Sequence, residues 1–156
     1  MTGSSTYLAG NAPNNVKAVS AFKWDNWLGG PRAPGFGRDI RQGLRFLTLN
    51  VNEEPLSTGE SGDKPASRRR TAEAVHEVTV KEEFLNGIGF LHGGCTAYLI
   101  DACSSIALTA LDPPDESMLP SVSLNLSVTY HAPAPLGAHL RLISTVVAFA
   151  ARVQTV

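Results

Sequence analysis

The stretch Leu91–Ser105, LHGGCTAYLIDACSS, decides the fold. From Cys95 to Leu111 the composition is helical and apolar on nearly every side, and a helix that is apolar all round is a buried helix. It carries one charge, Asp101. An ionised carboxylate in a buried segment is costly unless it is paired, hydrogen-bonded or open to a site. Gly93 and Gly94 stand where this helix starts. Glycine there lets a ligand approach the backbone closely. The first N–H groups of a helix also lack partners within it and carry the positive end of its dipole. The segment thus joins an anion-receptive entrance to a carboxylate deeper along the same helix, a combination suited to chemistry on a carbonyl group.

Downstream, Asp112–Pro120 holds three prolines and ends the helix. Ser121–Tyr130 is the clearest strand of the chain, with a strict period of two. Val122, Leu124, Leu126, Val128 and Tyr130 share one face, and Ser121, Ser123, Asn125, Ser127 and Thr129 the other. His131–Gly137 reads as a turn, Leu140–Val147 as a strand, Ala148–Ala151 as a hairpin turn and Arg152–Val156 as the start of another strand. Upstream, Leu44–Val51 and Ala74–Val80 are strands joined by a long polar loop over 53–70, whose Lys64, Arg68, Arg69 and Arg70 are read as solvated charges. Gly29–Gly37 is a breaker-rich loop, and Asn15 is expected to cap a short helix to Leu28 with Val16, Val19, Phe22 and Trp27 as its apolar positions. Residues 1–14 have a composition that favours disorder. One wholly apolar helix among antiparallel strands predicts an α+β fold with the sheet wrapped around the helix. The expected organisation is an N-terminal extension over 1–43, partly disordered with a short helix, and a domain over 44–156.

A length of 156 residues fits one domain, and a net charge of −1 gives no electrostatic reason to bind nucleic acid or an anionic membrane. No apolar run approaches the roughly 20 residues that span a bilayer, so no membrane insertion is expected. Met1–Gly10 lacks the basic start and apolar run of a secretory leader. The expected compartment is the cytoplasm. A mitochondrial address is the alternative, because Ser, Thr, Ala and Asn abound before the first acidic residue, Asp25. Cys95 and Cys103 are the only cysteines. On one helix they lie about 12 Å apart along the axis, too far for a mutual disulfide. With no histidine cluster beside them they read as core residues, and no metal site is expected.

Asp101 is the foremost candidate for chemistry, since a lone buried carboxylate is a frequent signature of a tuned acid or base. The alternative is a structural aspartate bonded to a neighbouring helix end or to a serine such as Ser104 or Ser105. His92 is either a functional group or a cap holding the turn, Gly93 and Gly94 either an anion entrance or a tight turn, and Asn86 either a ligand-facing amide or a turn former. Asp101 lies nine positions after His92, about 10–13 Å further along the axis. It is therefore out of hydrogen-bond reach of a carbonyl held at the glycines of its own helix. If both features serve one reaction, a twofold dimer places Asp101 of one copy near the entrance of the other.

The order N-x-x-G-x-x-H-G-G (Asn86–Gly94), then Asp101, then SVSLNLSVTYHAPA (Ser121–Ala134) resembles the hotdog-fold acyl-CoA thioesterases of the phenylacetate-degradation type. Within them it is most similar to the acyl-CoA thioesterase 13 branch, over Ala74–Val156, and residues before that resemble an extension of fungal members. The resemblance implies a sheet of five or six strands around the long helix, and homodimers or tetramers that hydrolyse acyl-CoA to a free acid and coenzyme A. It needs no cofactor, coenzyme A being part of the substrate. It makes Asp101 the general base or the carboxylate that orients the nucleophile. Gly93 supplies the N–H that polarises the thioester carbonyl, with Gly94 beside it on the coenzyme A side. Asn86 positions carbonyl or water, His92 belongs to the same loop, and Ser123 lies near the partner's carboxylate. The family pattern continues past Val156, so a domain lacking its last one to two strands, less stable and less soluble than its relatives, is expected. A catalytically weak acyl-binding or assembly module is the alternative function, and a hotdog dehydratase a more distant one.

Overall fold

The computed structural model describes residues 8–55, 68–111, 122–149 and 154–156. Helix α1 (Asn14–Lys23) runs into a single π turn (Trp24–Leu28), and a short helix α2 (Arg38–Arg41) follows. Strands β1 (Arg45–Pro55) and β2 (Arg68–Thr79) precede a 3₁₀ turn (Glu82–Phe84) and the long helix α3 (Gly93–Thr109). Strand β3 (His139–Thr145) and the short pair β4 (Ala148–Phe149) and β5 (Gln154–Thr155) complete the order. The main sheet is antiparallel, β1-β2-β3, and β4 pairs with β5 separately. This is a hotdog-like α+β arrangement, an antiparallel sheet with one long central helix.

Helix α3 packs on β2 and β3, with α1 and the π turn against it. Leu99, Cys103, Ile106 and Ala107 bury completely or nearly so, and β2 meets them in the core with Ala72, Ala74 and Val78. Small residues on the strand let the helix axis approach the sheet. Both cysteines are buried free thiols, and burial pushes the Cys103 thiol up to about 12 and raises that of Cys95. A thiol held protonated is a poor nucleophile, so their place is in packing.

The N-terminal residues depart from expectation. Residues 8–12 are placed along the open edge of β1. Ala9 N–H donates to Leu47 O at 2.9 Å, Leu49 N–H to Ala9 O at 3.0 Å, and the Asn11 side chain accepts from Val51 N–H at 2.7 Å. An exposed strand edge is a template for aggregation, and this segment covers it. Helix α1 starts at Asn14 after Pro13, not after Asn15. Val16 is buried as expected, but Phe22 and Trp27 are 48% and 38% exposed, while Ser20 and Trp24 are buried. Val16, Ser20 and Trp24 follow at four-residue spacing on one face of α1, which carries Trp24 into the core, and the π turn changes the phase of the residues after it. Trp24 covers His76, which stacks flat on Phe46, its cross-strand partner, with ring centroids 4.7 Å apart. His76 is fully buried, its ring nitrogens make no hydrogen bond among the described residues, and burial pushes its pKa down to about 3.

Part of the expected 53–70 loop is strand. β1 continues to Pro55 and β2 begins at Arg68, placing Glu53 opposite Arg70 and Glu54 opposite Arg69. Opposite charges across a ladder, such as Glu53 and Arg70, favour pairing, which a reading of polarity alone took for solvation. Residues 56–67, Lys64 among them, lie outside the described residues, as do 1–7, 112–121 and 150–153.

The largest correction falls on Ser121–Tyr130. Its described part, 122–130, joins no strand ladder, and Val122 and Leu124 are both 78% exposed. Its alternation suits a strand, but a ladder requires a strand partner, and among the described residues it lies against α3 and pairs with no strand. The sheet among the described residues accordingly has three strands, where five or six were expected.

Candidate active site

Two separate clefts hold the candidate residues. The first lies at the start of α3. Asn86 opens a tight turn. Its Oδ1 accepts from Ile88 N–H and Phe90 N–H, both at 3.1 Å, and its own N–H donates to Phe90 O at 2.7 Å. The turn therefore uses the side-chain oxygen, and Nδ2 has no acceptor among the described residues. Asn86 serves as a turn former and still presents an NH₂ donor at the cleft wall. The loop is anchored by Leu91 N–H to Ala134 O and His92 N–H to Phe84 O, both at 2.8 Å, with Phe84 buried beneath.

His92 is the N-cap of α3, and its Nδ1 accepts from Gly94 N–H at 2.9 Å. An accepting Nδ1 carries no proton, so the neutral ring bears its proton on Nε2. His92 O is also occupied, by Thr96 N–H at 3.0 Å. The cap thus takes the amide of Gly94 and leaves that of Gly93 without an acceptor among the described residues. A methyl group added at Gly93 would meet only Tyr130, at an ordinary 3.4–3.7 Å, and Gly93 is helical rather than left-handed. Neither packing nor backbone torsion requires glycine here. The access it leaves to the open N–H is what a side chain would remove. The cleft in front has a volume of about 1000 Å³, with Leu99, Ile100, Leu140 and Leu142 among its apolar walls.

The second cleft lies further along α3. The Asp101 Oδ1 accepts from the Ser123 hydroxyl, across from the 122–130 segment. Ser104 and Ser105 bond the backbone carbonyl of Asp101, at 3.3 and 3.0 Å, not its carboxylate. That corrects the alternative of a carboxylate fixed by its own helix. Asp101 is half-buried rather than buried, because the segment facing it contributes a hydroxyl and little cover. Ala97, Tyr98, Leu124 and Leu126 share this cleft of about 340 Å³ with Asp101 and Ser123.

Asn86, Gly93 and Gly94 therefore line one cleft, Asp101 and Ser123 the other, and eight residues of helix, about 12 Å of rise, separate Gly93 from Asp101. His92 stands beside the first through its cap bond.

Three residues here escaped the sequence reading. Tyr130 was counted only as an apolar strand position, yet its hydroxyl donates to Gly93 O at 3.0 Å. Tyr98, one turn before Asp101, meets Phe36 edge-on at a centroid distance of 5.4 Å. Arg41 is buried and donates to Ala33 O at 2.6 Å, to Phe36 O and to the Tyr98 hydroxyl at 3.2 Å, which fastens the Gly29–Gly37 loop to α3. Gly37 has φ +75°, and a Cβ there would meet the Tyr98 ring at 2.5 Å. The glycine of that loop is a signal the sequence did contain.

Comparison with known proteins falls on this same region. Residues 88–156 match the sequence profile of the thioesterase superfamily. Over 63 residues, 40% of this chain, it is 44% identical to acyl-coenzyme A thioesterase 13 of Homo sapiens and of Pongo abelii, and 40% identical to that of Mus musculus. The match spans 42% of the length of each of these relatives. The crystal structure of zebrafish thioesterase superfamily member 2 superposes with a TM-score of 0.53 at 25% identity, covering 78% of this chain and 70% of that one. Residues 88–156 are thus similar to the thioesterase superfamily, the fold is hotdog-like, and the homology to acyl-coenzyme A thioesterase 13 is partial, spanning less than half of either chain.

Proposed function

We propose that the protein hydrolyses acyl-CoA thioesters to a free acid and coenzyme A. One observation carries the reading: a single helix presents an unoccupied backbone donor at Gly93 and a hydroxyl-bonded carboxylate at Asp101. Thioester hydrolysis needs a donor where negative charge develops on the carbonyl oxygen and a base for the attacking water. Gly93 N–H supplies the first, with Asn86 Nδ2 beside it. Asp101 supplies the second, its Oδ1 held by Ser123 and its other oxygen left to take the proton of water. His92 holds the entrance by capping Gly94, and Gly94 borders the passage for the coenzyme A moiety.

The separation of the two groups supports a site shared between two copies in a homodimer, or in a tetramer of dimers, with Asp101 of one copy serving the Gly93 entrance of the other. The motif order Asn86–Gly94, Asp101 and Ser123 supports the phenylacetate-degradation type, and the segment before the matched region supports a fungal-like extension over 1–43 ahead of the 44–156 domain. Among the described residues no helix is long and apolar enough to cross a membrane. We assign the protein to the cytoplasm, with mitochondria as the alternative.

The test is hydrolysis of hexanoyl-, dodecanoyl- and benzoyl-CoA by the parent and by Asp101→Asn, which keeps shape and removes the base. The substitution should lower kcat roughly 10²–10⁴-fold with little change in KM. Retention of more than half the parent rate would remove Asp101 from the chemistry. A second reading, an assembly or acyl-binding module of weak activity, draws on the exposed apolar residues of 122–130. It is favoured if the parent binds acyl-CoA or self-associates without turnover.

A further inference from the structure

We infer that Tyr130 is a positioning residue for the oxyanion donor, locking the Gly93–Gly94 peptide so that the Gly93 N–H keeps one direction. The inference rests on the hydrolase reading for its consequence, but its geometry stands apart from it. Glycine has the freest backbone of any residue, so an oxyanion donor on Gly93 is a donor on the chain's most adaptable joint. The two peptides flanking that joint are both tied. In the preceding one, His92 O accepts from Thr96 N–H at 3.0 Å. In the following one, both ends are bonded from side chains: Gly93 O accepts from the Tyr130 hydroxyl at 3.0 Å, and Gly94 N–H donates to His92 Nδ1 at 2.9 Å. The plane of the 93–94 peptide is thus pinned at opposite edges, and with it the torsion on the far side of Gly93. The bonds also reinforce one another. A hydroxyl donating to a peptide carbonyl withdraws charge and makes the N–H of that same peptide a better donor, here to the Nδ1 of His92. Tyr130 thereby strengthens the cap that diverts Gly94 and leaves Gly93 as the free donor.

The placement of Tyr130 suits this role. Its ring lies within 3.4–3.7 Å of the position a Cβ on Gly93 would occupy, and it lines the same cleft as Asn86 and Gly93. It remains 58% exposed, so its ring adds little to the core. Four residues on, Ala134 O takes the Leu91 N–H, so the stretch carrying Tyr130 is itself tied to the loop it supports.

Tyr130→Phe removes the hydroxyl and keeps the ring. Assayed on hexanoyl-CoA, it should lower kcat about tenfold while KM moves less than about twofold, since an orientation present in the transition state is lost and ground-state contact is not. Amide hydrogen exchange at Gly94, followed by NMR, should speed up several-fold while exchange in the middle of α3 is unchanged. If the parent turns over and Tyr130→Phe keeps kcat within twofold, the positioning role is overturned and the hydrolase reading stands. If the parent does not turn over, the hydrolase reading falls, and the lock is judged on Gly94 exchange alone: unchanged exchange overturns it.

Discussion

The two ends of α3 are built differently. At the start, the N–H groups of Leu91, His92 and Gly94 and the carbonyls of His92 and Gly93 all have partners, while the Gly93 N–H has none among the described residues, and the partners outside the helix include Phe84, Tyr130 and Ala134. Eight residues on, Asp101 has one side-chain partner, the hydroxyl of Ser123, offered by a segment that pairs with no strand. The entrance is preorganised by its own chain, which is what electrostatic stabilisation of a developing charge demands. The carboxylate end is half-open and joined to little. The contrast teaches that the donor half of the proposed site is a finished local structure, whereas the base half is open, as the proposed sharing between copies requires.

Substitution at the finished end should give a large effect, because the Gly93 N–H is the backbone donor of the proposed site. Gly93→Ala adds a methyl that packs against Tyr130 without strain and stands beside the free N–H. Activity should fall on the order of 10²-fold, the usual worth of one oxyanion donor. Stability should hold or rise by about 0.5–1 kcal/mol, since alanine is the better helix residue. A Gly93→Ala protein that unfolds earlier than its parent would show that packing, not access, selects glycine.

Mixing breaks the comparison in another way. Gly93→Ala protein combined with Asp101→Asn protein gives heterodimers with one fully intact site if the two ends serve each other across copies. Random exchange then restores about a quarter of parental activity, since half of the dimers are mixed and half of their sites are whole. With exchange confirmed by mass spectrometry, activity no higher than that of the separate variants would confine each site to one chain.

A third prediction concerns stability, away from both ends of α3. His76 lies under Trp24 with its pKa held near 3, well below the value of about 6.5 for the unfolded chain. Between these values the unfolded chain binds more protons. The contribution of His76 is therefore fully present above pH 6.5 and is lost as pH falls towards 3, at up to about 1.4 kcal/mol per pH unit. His76→Phe should flatten the decline of stability between pH 6.5 and 4.5. An unchanged slope in denaturant titrations would show that other groups carry the acid sensitivity. The effect near neutrality is the smallest of those described.

How much of this was legible in the sequence can be judged from three pairs of residues. Gly93 and Asp101 were found from composition alone, because a glycine pair before an apolar helix and a single charge inside it each break a local pattern. His76 and Tyr130 were not. A histidine in a strand and a tyrosine at the end of an alternating run break nothing locally, and their partners, Trp24 and Gly93, lie 52 and 37 residues away in the chain. Trp27 was placed on the wrong side because a π turn alters helix phase without a sequence mark that a period of 3.6 can register, whereas Phe22, six positions after Val16 and ahead of that turn, falls off the buried Val16–Ser20–Trp24 stripe by the helix period itself.

β2 and the 122–130 segment show where the division falls. Both alternate, and alternation is set by the backbone itself, since successive side chains point to opposite faces. The sequence by itself therefore determined the buried helix, the faces of the strands, the glycine pair at the helix start and the lone carboxylate. The tertiary structure decided which alternating segment became a strand: β2 pairs with a strand on each side, and 122–130 pairs with none among the described residues. It also decided which side chains lock the Gly93 donor and which hydroxyl meets Asp101. The physical reason is common to all of these. Local patterns fix what each residue can offer, but a hydrogen bond is completed only by a partner, and the partner's position depends on the path of the whole chain.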